Sequence, residues 1–509
     1  MRRVQSSARQ RGAPLALAVA SGLFVAGVLA PPPAAAAADT SWIRFRSDPA
    51  RRLFAQLPGP HAQRARAPAA VTRPVTNCLD DGPGSLRAAV SGAGDGDIVD
   101  LASLRCGRIT LETGAILVPV DDLTVQGPGR NRLVIDGNDA DRVFIHPYGG
   151  ALDLLALTIE HGRDRETGFD LGFGGCIASA GYLTLGATTV RNCYAGGEGA
   201  YGGGIYAYSL TMSDSTLSGN VAYGVHEDAG TAAFGGGAFV YSMQLVDSTV
   251  SGNRADHRFN PDRPSYDIAG GIVSVHGGSV TGSTIDSNYS HGRAGGIATF
   301  DNLTISNSTF SGNVAATDIA GGLFMRRPSV FIVNNSTFSA NHAEAGGGGI
   351  WMFAPSSTLQ SSIVSGNTAG GGLVADLDAA MAVTIAGANN IVGARATGVH
   401  LPGDTLAIDP LLRPLAENGG PTRTHAFQPG SPAIDAGNNL GQLAFDQRGA
   451  TFPRVYGAGP DIGAFEQQAP FAPAVYMPVP VRSAWMLGLL AACLALAAAW
   501  RRLRTVRAR

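Results

Sequence analysis

The sequence predicts an all-β fold, a single-stranded right-handed parallel β-helix. Three observations carry that reading. A Ser/Thr–apolar–small–Asn run recurs through the middle of the chain, with its Asn at 220, 253, 288, 313, 341 and 367. A glycine pair followed by an apolar residue precedes each copy, as at Gly203-Gly204-Ile205 and Gly295-Gly296-Ile297. Short alternating stretches such as Leu210-Thr211-Met212 and Leu303-Thr304-Ile305 lie between them. Alternation indicates strand, and no helical period of useful length intervenes. Three short strands and three turns in about 25–30 residues make one coil, and coils stack about 4.8 Å apart.

Each motif then has a place in the coil. The apolar position points inward and repeats on its copy in the next coil. Asn220, Asn253, Asn288, Asn313, Asn341 and Asn367 form a corner ladder, because Asn tolerates left-handed backbone and its amide can bond to the Asn above and below. The glycine pair forms a corner where a Cβ would clash. Extra residues follow the Asn and precede the glycine pair, so insertions project along one side.

Composition agrees and narrows function. Glycine is abundant, at 69 of 509 residues. The 37 basic residues are all Arg, so lysine Schiff-base chemistry is excluded. A formal net charge of −2 gives no sign of a nucleic-acid partner. The ten His show no H-x-x-H spacing.

The two ends read as addresses. Residues 1–38 have a basic start, an uncharged apolar run and an A-x-A site, and are expected to be a signal peptide. Residues 39–72 read as a linker, 73–404 as the β-helix, 405–466 as a closing region and 467–482 as a Pro-rich spacer. Residues 483–500 carry no charge and suit a transmembrane helix, with Trp485 and Trp500 near its ends. The Arg-rich tail 501–509 is expected to stay cytoplasmic, leaving the rest exported to the cell envelope or surface.

An exported chain meets an oxidising compartment. Cys78 and Cys106 are expected to staple the first coil. Cys176, in a glycine-pair corner, and Cys193, at an Asn corner, are expected to bridge if those corners approach; Cys493 should stay free.

Several motifs resemble known families. Gly-Gly-(Ala/Ile) alternating with Phe310 to Asn313 and Phe338 to Asn341 resembles the repeats of polymorphic outer-membrane proteins. Ser85-Leu86-Arg87-Ala88-Ala89 resembles the Ser-Leu-Arg-Glu-Ala opening of such surface β-helices, with Ala88 in place of Glu. Asn418 to His425, Pro429 to Gly437, Asp446 to Gly449 and Asp461 to Glu466 resemble the "choice-of-anchor Q" region, which closes bacterial β-helix proteins with varied C-terminal anchors. Val479 to Trp485, the apolar run and the Arg cluster resemble an IPTL-type C-terminal sorting signal, with Val481 and Arg482 where that motif has Thr-Leu. The resemblance implies a surface protein anchored at least transiently in a membrane, and a possible sorting protease as partner. It implies no activity.

The same pectin-lyase-like solenoid hosts polysaccharide enzymes, so carboxylates merit scrutiny. Asp214 and Asp247 precede equivalent Ser-Thr pairs in consecutive coils and should stack near the separation of paired glycosidase carboxylates. The same corner later holds Gly282, Asn307, Asn335 and Ser361, all turn formers, which favours a structural role. Asp153, Glu160, Asp164 and Glu166, with Arg163 and Arg165, are the densest charged patch and read as a solvated loop. Asp435, Asp446, Asp461 and Glu466 are calcium candidates against a metal-free closing region. His257, in the longest insertion, reads as a surface residue. The expectation is a non-enzymatic protein without cofactor, presenting loops to an extracellular glycan or protein; the alternative is a polysaccharide lyase or glycoside hydrolase.

Overall fold

The computed structural model describes residues 70–468, apart from 166–170, 225–231, 258–266, 327–329 and 354–355. The expected signal peptide, most of the linker and spacer, the transmembrane segment, the Arg tail and Cys493 lie outside the described residues. Among the described residues, no helix is long and apolar enough to cross a membrane.

The chain winds as a parallel β-solenoid of right-handed type. Among the described residues the solenoid's strands pair in parallel, and antiparallel bridges occur only from Leu412 onward. Among the described residues three long sheets, of 21, 11 and 8 strands, are here called I, II and III, and sheet III begins at Arg163–Arg165. One coil shows the pattern. Ile297–Thr299 and Leu303–Ser306 lie in sheet I, Thr309–Ser311 in sheet II and Val314–Ala315 in sheet III. In the next coil Ile297 pairs with Leu323, Leu303 with Phe331, Phe310 with Phe338 and Ala315 with Ala343. Like therefore stacks on like, and the inward side chains form one continuous apolar core. Phe310 and Phe338 stack at 4.5 Å between centroids, 13° from parallel.

Three corners close each coil, and each has its own chemistry. Between sheets I and II, the residue before the Ser-Thr pair is left-handed: Asp214, Asp247, Asn307, Asn335 and Ser361 all have φ between 43° and 47°. The serine that follows accepts the backbone N–H of the preceding coil's serine, as in Ser248 N to Ser283 Oγ at 3.1 Å and Ser283 N to Ser308 Oγ at 3.2 Å. This serine ladder was not anticipated from sequence.

Between sheets II and III stands the asparagine ladder. Asn220 Nδ2 donates to Asn253 Oδ1 at 2.9 Å, and the same contact links Asn253 to Asn288, Asn288 to Asn313, Asn313 to Asn341 and Asn341 to Asn367 at 2.8–2.9 Å. Each Oδ1 also accepts the preceding Asn backbone N–H. The left-handed residue here is the one before the Asn, namely Gly219, Gly252, Ser287, Gly312, Ala340 or Gly366, which corrects the expectation that the Asn itself takes that conformation. Asn is required for its amide, which offers a donor and an acceptor to adjacent coils.

At the third corner the glycine pair admits the neighbouring backbone. A Cβ on Gly203 would stand 2.2 Å from Gly236 O, and one on Gly296 2.3 Å from Gly322 O.

The ends are finished differently. Leu86–Ser91 forms a short helix, N-capped by Ser85, that buries Leu86 and Val90 at the first coil. Cys78 and Cys106 are bonded beside it. Residues 405–468 run back along the outside of sheet II. Thr422 Oγ1 donates to Gly282 O, Gln447 Nε2 to Thr284 Oγ1, Asn307 Nδ2 to Phe445 O and Gly463 N to Ser361 O. This segment thus flanks the solenoid as a flap.

Candidate functional site

The stacked aspartates stand at the first corner. Asp214 is half exposed and pairs with Arg130 at 2.6 Å. Burial, and then the Asp214 charge, push the Asp247 carboxyl up. Both residues supply the left-handed turn that Asn307 and Asn335 supply later, so their positions follow from backbone geometry.

The calcium candidates of the flap meet N–H donors. Asp435 Oδ1 accepts Ala458 N and Gly459 N. Asp461 accepts Asp435 N at 2.7 Å and Gln467 N at 2.6 Å. Glu466 accepts Tyr456 N and Asp461 N, and Asp446 pairs with Arg448 at 2.7 Å. Arg448 itself lies between the Phe452 and Phe465 rings, about 3.8–3.9 Å from each centroid. These carboxylates organise the flap's turns, and calcium would have to displace donors already in place.

The dense acidic patch is not a solvated loop. Asp153 lies in sheet I, Glu160 in sheet II and Asp164 in sheet III, because two corners fall between them. Phe173 N donates to buried Asp164 at 2.5 Å, and Arg142 pairs with it. Buried Glu160 pairs with Arg108 and Arg191 at 2.7 Å each, and those guanidinium groups hold its carboxyl below the usual range against the cost of burial. Asp136 is in register with Glu160, and His161 Nδ1 lies 3.3 Å from Asp136. Glu166 lies outside the described residues.

The chemically richest cluster was not anticipated. His257 ends the sheet III strand Arg254–His257. Its Nδ1 is 2.6 Å from Asp267 Oδ2, and only a tenth of its side chain is exposed, which corrects its reading as a surface residue. Asp267 is fully buried, and its other oxygen accepts Ala233 N at 2.7 Å. The Asp267 hydrogen bond raises the His257 imidazole above its ordinary value. Ala255 is in register with Ser290, which sets His291 in the next coil opposite Asp256. His291 Nδ1 lies 3.8 Å from Asp256 Oδ1, and the His257 and His291 rings meet edge-on at 5.0 Å. Asp256, His257 and Asp267 bring ligand-type atoms within 4.8 Å of one another. Burial, and then Asp256, push the nearby Tyr289 phenol up, against the Arg254 guanidinium that lies 4.3 Å over its ring. The sequence signal was available: an Asp-His pair and an Asp bracket one insertion.

A second surface feature lies on sheet I. Tyr182 and Tyr208 are exposed and meet edge-on at 5.9 Å, and Tyr208 stacks on Tyr241 at 5.6 Å. Thr184, Thr211 and Gln244 follow in register on the adjoining strands.

No family model and no curated protein matches the chain. Among solved structures, it is similar to that described as the crystal structure of pectate lyase Pel9A, with 14% identity and a TM-score of 0.43 over 78% of this chain and 98% of that one.

Proposed function

We propose that this is an exported cell-envelope protein, of the choice-of-anchor Q type, whose solenoid presents a binding surface to extracellular glycans or proteins. The export signal, the C-terminal membrane helix and a sorting protease acting near residues 479–485 belong to the same reading and rest on sequence motifs. The observation that carries the binding role is the tyrosine row of exposed Tyr182 and Tyr208 and half-buried Tyr241. Neighbouring exposed aromatic rings on one sheet face suit a contact site. Rings beside hydroxyl and amide side chains suit the apolar face and hydroxyl rim of a sugar, which favours glycan. The extra residues read from the sequence follow strands Arg163–Arg165, Val221–Gly224 and Arg254–His257, and would add to the binding surface.

A glycan and protein array probed with the purified chain tests this reading. Binding should fall when Tyr182 and Tyr208 are both changed to Ala, with the fold retained. The competing enzymatic reading is favoured only by the coupled Asp214–Asp247 pair. It is tested on pectin, alginate and chondroitin by reducing-end release. Product that Asp214→Asn or Asp247→Asn abolishes would establish an enzyme instead.

A further inference from the structure

We propose that Asp256, His257 and Asp267, with His291 from the following coil, bind one divalent first-row transition cation of the zinc class. The cation would join the end of the sheet III strand Arg254–His257 to Asp267.

The solenoid builds the site. Strand Arg254–His257 delivers Asp256 and His257, and parallel register delivers His291 one coil on. The chain returns at Asp267, whose neighbour Ile268 bridges Phe234 and Arg293 in the adjoining coils. Gly224 is in register with His257, so the register position one coil back carries no side chain.

Donor chemistry selects the metal class. Two imidazoles and two carboxylates suit zinc and its first-row neighbours, whereas calcium takes six to eight oxygens. Zinc holds nitrogen and oxygen donors at about 2.0–2.2 Å, which puts neighbouring donors roughly 3–3.5 Å apart. Asp256, His257 and Asp267 already bring donor atoms within 4.8 Å of one another, and His291 Nδ1, 3.8 Å from Asp256 Oδ1, would turn inward to supply the fourth donor.

Arginine meets carboxylates both here and at the group of Asp136, Glu160 and His161, and what sets this cluster apart is its second imidazole, His291, facing Asp256. There Arg108 and Arg191 neutralise both carboxylates. Here Arg254 pairs with Asp256 through Oδ2, and Asp256 Oδ1 faces His291. Asp267 meets the His257 imidazole and the Ala233 backbone N–H among its contacts.

The full chain, tag-free and stripped with chelator, is titrated with Zn²⁺, Mn²⁺ and Ca²⁺ by calorimetry, and bound metal is counted by mass spectrometry. One equivalent of Zn²⁺ should bind in preference to Ca²⁺ and raise Tm. H257Q and H291Q should each weaken zinc binding by about 10–100-fold. H161Q should leave it unchanged. Far-UV circular dichroism checks the fold, and D256N provides the same readout if a His variant does not fold. A folded parent that takes up no zinc, a preference for Ca²⁺, or zinc binding that survives H257Q with H291Q would overturn the proposal.

Discussion

Cys176 and Cys193 are bonded across the two corners that Gly204 and Asn220 occupy one coil later, with 5.5 Å between their Cα atoms. In the later coils the second glycine makes room for the asparagine. A Cβ on Gly204 would stand 2.9 Å from Asn220 Cγ, and one on Gly237 3.1 Å from Asn253 Cγ. The disulfide thus replaces a glycine–asparagine contact, and Asn220 Oδ1 still accepts the Cys193 N–H at 3.0 Å. At the far end the replacement differs. Asp376 stands next to Leu377, the register partner of Ile350, and so takes the place of Gly349. It accepts both Asn367 N at 3.0 Å and Asn367 Nδ2 at 2.8 Å.

This equivalence predicts a rescue. The bridge closes a loop of 17 residues and should contribute about 3 kcal/mol. Cys176→Ala with Cys193→Ala loses it. Cys176→Gly with Cys193→Asn restores the ladder chemistry and should recover part of the loss, so it melts above the double-Ala variant. Equal melting of the two would show that the amide cannot occupy this coil.

The ladder itself predicts an order among variants at Asn313. Its Nδ2 donates to Ile285 O and Asn341 Oδ1, and its Oδ1 accepts from Asn288. Asn313→Ala leaves buried groups unpaired and should cost about 1–3 kcal/mol. Asn313→Asp should cost more at neutral pH, because a carboxylate faces two acceptors. That acid would have a raised pKa in the fold, so its penalty shrinks as pH falls toward about 4. Urea melts at pH 7 and pH 4 measure both.

The solenoid was legible because its motifs repeat once per coil, and repetition fixes register. What resisted reading lies off that period. The left-handed residue sits one place before the Asn because Oδ1 must receive its neighbour's N–H, a constraint visible only with two coils stacked. Glu160 and Asp164 look adjacent in sequence but are divided by a corner. Asp136 and Glu160 look distant but are one coil apart. His257 was missed because insertions follow no period, and its partner Asp267 lies beyond one. The flap carries recognisable motifs, but its path along sheet II depends on side-chain contacts that no spacing encodes.

Two kinds of glycine should fail differently. Gly296 has an ordinary φ and no space: a Cβ there would stand 2.3 Å from Gly322 O. Gly252 has φ +62° and open space around it. Gly296→Ala should therefore cost about 3 kcal/mol or more through overpacking. Gly252→Ala should cost roughly 1–2 kcal/mol from backbone strain alone, and Gly252→Asn less, because Asn tolerates that region. Chemical denaturation of the three variants separates close approach from backbone conformation.

Docking of the flap should depend on pH through His425. Its Nδ1 donates to Arg413 O at 2.7 Å, and its Nε2 accepts from Ser311 Oγ at 2.9 Å, so one neutral tautomer satisfies both contacts. Burial lowers its pKa, against the opposing pull of the Arg413 carbonyl. The sign follows from linkage. The unfolded chain takes up the proton first as pH falls below about 6.5, so this group's contribution to stability is present above that value and is lost on acidification. Protonation would also put a second donor against Ser311, and the flap contact with sheet II would weaken. Hydrogen exchange across residues 405–468 should accelerate from pH 7.5 to 5 by more than the intrinsic rate change allows, while the Asn313 ladder stays protected. In His425→Asn, which cannot gain a charge, that excess should disappear. Acceleration of equal size in the variant would place the pH response elsewhere in the flap, with Asp461 the next group to test.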